Sequence, residues 1–160
     1  MPFEFSLRYE PAEGIQRFLS GTPPILSMAA VEPAVSMLLD AGIELLRKKS
    51  IQQSNFLIKM AEKYLFPNKF KLGSPSDFRQ RGSHVSLKHK EAYRICKALI
   101  DPNIGGGQII PDFREPDNIR LGLTPLYTTF EDIFMAIEQM HMIVKEEYYK
   151  NYSVERSSIT

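Results

Sequence analysis

Two short stretches carry residue types that could do chemistry. Ser20-Gly21-Thr22-Pro23-Pro24-Ile25 is a small-residue turn followed by two prolines, a forced non-helical corner. Glycine permits close backbone approach, and the Thr22 hydroxyl with neighbouring N–H groups can hold a phosphate oxygen where a helix begins. Far along the chain, Asn118-Ile119-Arg120-Leu121 sets an arginine inside a short apolar strand, followed by Pro125-Leu126-Tyr127. In a strand Ile119 and Leu121 share one face, so Arg120 takes the other. Its guanidinium fork can grip a carboxylate at two points, which lysine does not reproduce. Together the stretches read as two halves of a site for two anions. Each also has a plainer reading on residues alone. Thr22 can be the cap of a helix-start turn, and Arg120 a structural arginine on a solvated face.

Other candidates point away from chemistry. Gly105-Gly106-Gly107 lacks the Lys-Ser/Thr and the spacing of a nucleotide loop and reads as a turn. His84, His89 and His141 are dispersed, and no metal site is expected from them. Cys96 sits on the apolar face of a helix without a cysteine partner or a His/Asp constellation, so it reads as core. Arg47-Lys48-Lys49 reads as a solvated helix face.

These residues need elements to position them. Phe3 to Tyr9 alternates like a strand with no upstream partner, as if a domain were cut there. Residues 10 to 24 form a proline- and glycine-rich loop. A helix is expected from about Pro24 to Leu39, with Pro33 either kinking it or marking a new first turn. A long helix follows from about Ala41 to Tyr64, with Leu45, Leu46, Phe56, Leu57, Met60 and Tyr64 at spacings of three and four. Short strands are expected at 70–72, 84–87, 108–113 and 118–122, and a helix at 90–100. A last helix runs from about Thr129 to Tyr149, with Thr128 or Thr129 as its cap and Glu131 and Asp132 in its first turn. This is an α+β layer: a small, mostly antiparallel sheet with helices on one face. The expected divisions are 1–24 as an N-terminal strand and loop, 25–150 as a small domain, and 151–160 as a frayed tail.

Composition agrees. The 160 residues suit one compact domain, and 43% hydrophobic with 24% charged residues is ordinary for a soluble globular protein. A net charge of +1 suggests neither a nucleic-acid footprint nor an electrostatic membrane anchor. No apolar run approaches the ~20 residues that span a bilayer, and Met1-Pro2-Phe3-Glu4-Phe5 lacks the pattern of a signal peptide. A single cysteine allows no internal disulfide and fits a reducing, cytoplasmic setting.

At this point the residues resemble a family. Tyr9-Glu10-Pro11-Ala12-Glu13-Gly14-Ile15-Gln16-Arg17-Phe18, then Ser20-Gly21-Thr22-Pro23-Pro24-Ile25-Leu26, is similar to the kynureninase segment that follows the cofactor-binding lysine region. Arg47-Lys48-Lys49-Ser50 fits the long helix there. Arg81-Gly82-Ser83-His84-Val85-Ser86-Leu87, Pro111-Asp112-Phe113-Arg114-Glu115-Pro116, Ile119-Arg120 and Pro125-Leu126-Tyr127 fit the C-terminal domain. The resemblance runs from about Phe3 to Val144.

The resemblance implies the small C-terminal domain of a fold-type I enzyme that uses pyridoxal 5'-phosphate. Such enzymes hydrolyse L-kynurenine or 3-hydroxykynurenine, the former to anthranilate and L-alanine, in tryptophan catabolism and the route to NAD. It implies a cytoplasmic homodimer in which Gly21 and Thr22 contact the cofactor phosphate across the dimer interface and Arg120 binds the substrate α-carboxylate. Fixing substrate and cofactor at both ends would hold the scissile bond over the cofactor ring. The family's cofactor lysine and most ring contacts belong to a large domain upstream, and Lys48 and Lys88 match no such motif. The expectation is therefore a chain with no catalytic residue of its own, inactive alone. The alternative is a stand-alone, non-catalytic domain for dimerisation or carboxylate binding.

Overall fold

A computed structural model describes residues 7–155. Most of the strand expected over residues 3 to 9 lies outside them, and 7–9 form no strand. The chain divides into two compact units, 1–42 and 43–160. This division falls after Gly42 rather than after Pro24.

Among its described residues the first unit holds a 3-10 turn, Gly14–Phe18, and the helices α1 (Ile25–Ala29) and α2 (Val31–Ala41). The single helix expected here is thus broken. Pro33 sits in the first turn of α2, where its missing N–H costs no hydrogen bond. Gly42 ends α2 at φ 78°, a conformation that favours glycine, and its N–H bonds back to Leu38 and Leu39 carbonyls. No residue described in this unit is buried.

The second unit opens with α3 (Ile43–Tyr64) and continues through β1 (Lys71–Leu72), β2 (His84–Lys88), α4 (Ala92–Ile100), β3 (Asp112–Arg114), β4 (Asn118–Gly122) and α5 (Phe130–Lys145). The strands form one antiparallel sheet in the order β1-β2-β4-β3. The α+β layer is as expected, with helices against one sheet face. Val85, Leu87, Ile119 and Leu121 point from that face into a core shared with Leu57 and Ala61 of α3, Ile95 and Leu99 of α4, and Ile137, Met140 and Ile143 of α5. Each such buried Val, Leu, Ile or Met side chain contributes about 1.5–3 kcal/mol of transfer free energy.

The ends of α5 follow local chemistry. Thr129 and Asp132 form a reciprocal capping box, with Thr129 N–H donating to Asp132 Oδ2 at 2.7 Å and Asp132 N–H to Thr129 Oγ1 at 3.0 Å. The helix stops at Lys145, short of the expected Tyr149, and Glu147 takes a left-handed φ of 56° before a 3-10 turn, Tyr148–Asn151. The described tail is tied down rather than frayed at Tyr152. Its hydroxyl donates to Asp101 Oδ2 at 2.7 Å, and its carbonyl accepts from Arg94 Nε at 2.8 Å. The strand expected over 108–113 is shorter than its apolar run, because only 112–114 pair with β4.

Candidate functional site

Strand alternation gives the second sheet face an all-polar character. His84, Ser86 and Lys88 of β2 share it with Asn118, Arg120 and Gly122 of β4, and with Asp112 and Arg114 of β3. The register sets Arg120 directly between Ser86 on one side and Asp112 on the other. Arg120 is therefore off the core, as its flanking apolar residues require, and its neighbours Ile119 and Leu121 are buried.

Arg120 Nη2 donates to Asp112 Oδ2, and Arg114 Nε donates to the same oxygen at 3.0 Å. The Arg120 guanidinium makes no other hydrogen bond among the described residues. Burial acts to raise the Asp112 pKa, but the two guanidinium groups outweigh it and hold the carboxyl below its ordinary value. Two guanidinium charges against one carboxylate leave a net positive patch. It opens on a cleft of about 440 Å³ lined by His84, Ile110, Asp112, Arg120 and Gly122. Gly122 faces open space where a side chain would otherwise stand. Chemically, this arrangement can receive an anion and orient it.

The Pro125-Leu126-Tyr127 loop next to β4 is anchored from α3. Lys49 Nζ donates to the Pro125 carbonyl at 2.7 Å and Gln53 Nε2 to the Thr128 carbonyl at 2.6 Å. Arg47 Nη2 donates to the Phe78 carbonyl at 2.8 Å. The Arg47-Lys48-Lys49 run is thus not simply a solvated face: two of its three side chains hold loops in place. Leu45, expected in the core stripe of this helix, is instead exposed.

Gly21 and Thr22 belong to the first unit and are exposed. A Cβ on Gly21 would meet no atom within 4 Å, and the Thr22 hydroxyl has no hydrogen-bond partner among the described residues. The predicted cap role for Thr22 is not realised, since α1 begins after Pro24 without a side-chain cap. Arg120 and the Gly21-Thr22 pair lie in different units.

Cys96 is buried, and burial pushes its thiol up to about 12, as befits a core residue. His89 is also buried, its ring 4.6 Å from that of Phe70. The site residue that sequence reading passed over is Asp112. Its signal was present: in Asp112-Phe113-Arg114 the alternation puts both charges on one face, opposite Asn118-Ile119-Arg120 across a short turn.

Comparison with known proteins bears on the domain as a whole. A family model described as the kynureninase C-terminal domain matches residues 46–140. The chain is 38% identical over 157 residues to the kynureninase of Shouchella clausii, covering 98% of this chain and 35% of that protein. It is 36% identical over 157 residues to the kynureninase of Geobacillus thermodenitrificans, covering 98% and 36%. It is 39% identical over 136 residues to the kynureninase of Pseudomonas fluorescens, covering 85% and 32%. The chain thus spans about a third of the length of these relatives. On the strength of the matched domain, the relatives and the fold, the chain belongs to the kynureninase family and carries its C-terminal domain.

Proposed function

We propose that this chain is the C-terminal portion of a hydrolase that converts L-kynurenine and water to anthranilate and L-alanine, in tryptophan catabolism and NAD biosynthesis. The observation that carries the reading is Arg120: a half-exposed guanidinium on a polar sheet face, beside an open cleft, in a chain of this family. Its role is to bind the substrate α-carboxylate. Pyridoxal 5'-phosphate, when bound to the whole enzyme, supplies the electron sink for Cβ–Cγ cleavage. The unpartnered Thr22 hydroxyl and the open backbone at Gly21 suit a phosphate oxygen, and the reading assigns them to the cofactor phosphate of the partner subunit in a cytoplasmic homodimer. The rest of the cofactor site belongs to the upstream large domain that the longer relatives carry, and the chain alone is inactive.

The exposed apolar side chains of α1 and α2, such as Leu26 and Leu39, support a requirement for that upstream portion, since soluble proteins cover surfaces of this kind. Mixing this chain with the upstream two-thirds or so of the Shouchella clausii kynureninase should restore anthranilate formation from L-kynurenine, followed by fluorescence. In the reconstituted enzyme Arg120→Ala should raise KM, because a charged carboxylate contact is worth on the order of 2–3 kcal/mol. Unchanged kinetics would remove Arg120 from the site. Persistent inactivity and no complex with the upstream portion would favour the stand-alone domain.

A further inference from the structure

The contact between Asp112 and Arg120 has no obvious structural purpose. Both side chains are more than a third exposed, and ion pairs of that kind add little to stability. Nor is Asp112 needed to hold the two strands together, since the backbone ladder already pairs it with Arg120. What the contact does do is restrict a long side chain. An arginine with free rotors offers its fork in many directions, whereas a two-point carboxylate contact needs one.

We propose that Asp112 is a positioning residue for Arg120, an inference that rests on the carboxylate-binding role assigned to Arg120 above. Three features of the geometry support it. The β3–β4 register fixes Asp112 directly across from Arg120 on the same face. Asp112 engages a single guanidinium nitrogen, Nη2, and leaves the other N–H groups of Arg120 for a ligand. Asp112 is itself held, because Arg114 Nε donates to the same Oδ2 at 3.0 Å from two residues along the strand. The order of control is therefore Arg114 to Asp112 to Arg120, and the pair of arginines keeps the patch positive after Asp112 is counted. The cleft shared with His84 and Gly122 gives a ligand carboxylate of an amino-acid-like substrate room to approach.

The same contact could instead be a competitor: an internal carboxylate that a substrate must displace. The two roles predict opposite signs. Nitrogen-15 NMR of the arginine side chains in the intact 160-residue chain reads the positioning directly. Resolved, slowly rotating Arg120 guanidinium signals are expected in the wild type and in Asp112→Glu, and averaged signals in Asp112→Asn. In the enzyme reconstituted with the upstream portion, Asp112→Asn should raise KM for L-kynurenine roughly tenfold with kcat within twofold, about 1.4 kcal/mol. Asp112→Glu should recover most of the loss. Arg114→Gln, which frees Asp112 without touching Arg120, should shift KM in the same direction by less, and serves if Asp112→Asn misfolds. Equal averaging of Arg120 in wild type and variant would overturn the proposal, as would a lowered KM or a loss confined to kcat. If Arg120→Ala changes nothing, the carboxylate reading itself fails; if Arg120→Ala raises KM and Asp112→Asn does not, only the positioning role does.

Discussion

Helix α2 of the first unit and α5 of the second have similar apolar content and stand in opposite states. In the first, Leu26 is 90% and Leu39 72% exposed, and no described residue is buried. In the second, Ile137, Met140 and Ile143 of α5 are fully enclosed. Periodicity makes a helix amphipathic, but only a second surface makes it stable. Helices of five and eleven residues lie below the length at which isolated helices persist in water. The second unit supplies its own second surface, a sheet with one apolar and one polar face. The described residues of the first do not, and the family match begins at residue 46, within the second unit.

This contrast can be broken most sharply in the core. Ile137→Ala should cost about 2–5 kcal/mol, read as a fall in the urea midpoint at constant slope. A loss under about 1 kcal/mol would mean that the α5 face is not the centre of the second unit's stability. The next effect is local. Thr129→Ala removes half of a capping box and should cost about 1 kcal/mol, with Thr129→Ser nearly neutral. If both variants behave alike, the cap contributes nothing and α5 is held by packing alone.

A graded effect should appear with pH. Burial lowers the His89 pKa below its ordinary 6.5, and nearby Lys90 and Lys69 act the same way against the opposing charge of Glu91. The ring nitrogen Nδ1 accepts the Glu91 N–H at 3.1 Å, a bond that the neutral ring can make. The unfolded chain therefore takes up its proton first as pH falls. Stability contributed by neutral His89 is present above pH 6.5 and is lost as pH drops from there through the folded value. Unfolding midpoints between pH 7 and 5 should decline in the wild type and flatten in His89→Leu. An equal slope in both would assign the decline to other groups.

Much of the fold was legible, and the reason is length. The long apolar stripes of α3 and α5, the Thr129 cap and the face-switching of Ile119-Arg120-Leu121 each rest on several residues agreeing. Where the reading missed, one tertiary contact decided. Gln108-Ile109-Ile110 has strand composition but no partner strand among the described residues, so composition did not become a ladder there. Tyr152 looked like tail until Asp101 and Arg94 came into reach. Arg120 drew notice because its oddness, a charge between two apolar residues, is local. Asp112 was passed over because a lone acid at a strand position looks ordinary, although the alternation of Asp112-Phe113-Arg114 already put it on the face that the register sets across from Arg120. Gly21 and Thr22 remain what the sequence offered, donors without partners among the described residues.

The smallest expected effect is the most telling for the comparison. Leu39→Ala removes a large apolar side chain, yet in this chain alone it should change stability by no more than about 0.5 kcal/mol, because the side chain is already in water. Once the upstream portion of a relative is bound, the same substitution should weaken the complex measurably, since Leu39 would then lose buried contacts. Calorimetric titration of the two polypeptides reads this difference. A loss in the isolated chain comparable to that of Ile137→Ala would show that α2 is already covered and would dissolve the distinction between the units. No change in either setting would leave α2 uncovered even in the complex, and the surface that meets the upstream portion would have to be sought on another face, with the polar side of the sheet around Arg120 the next to test.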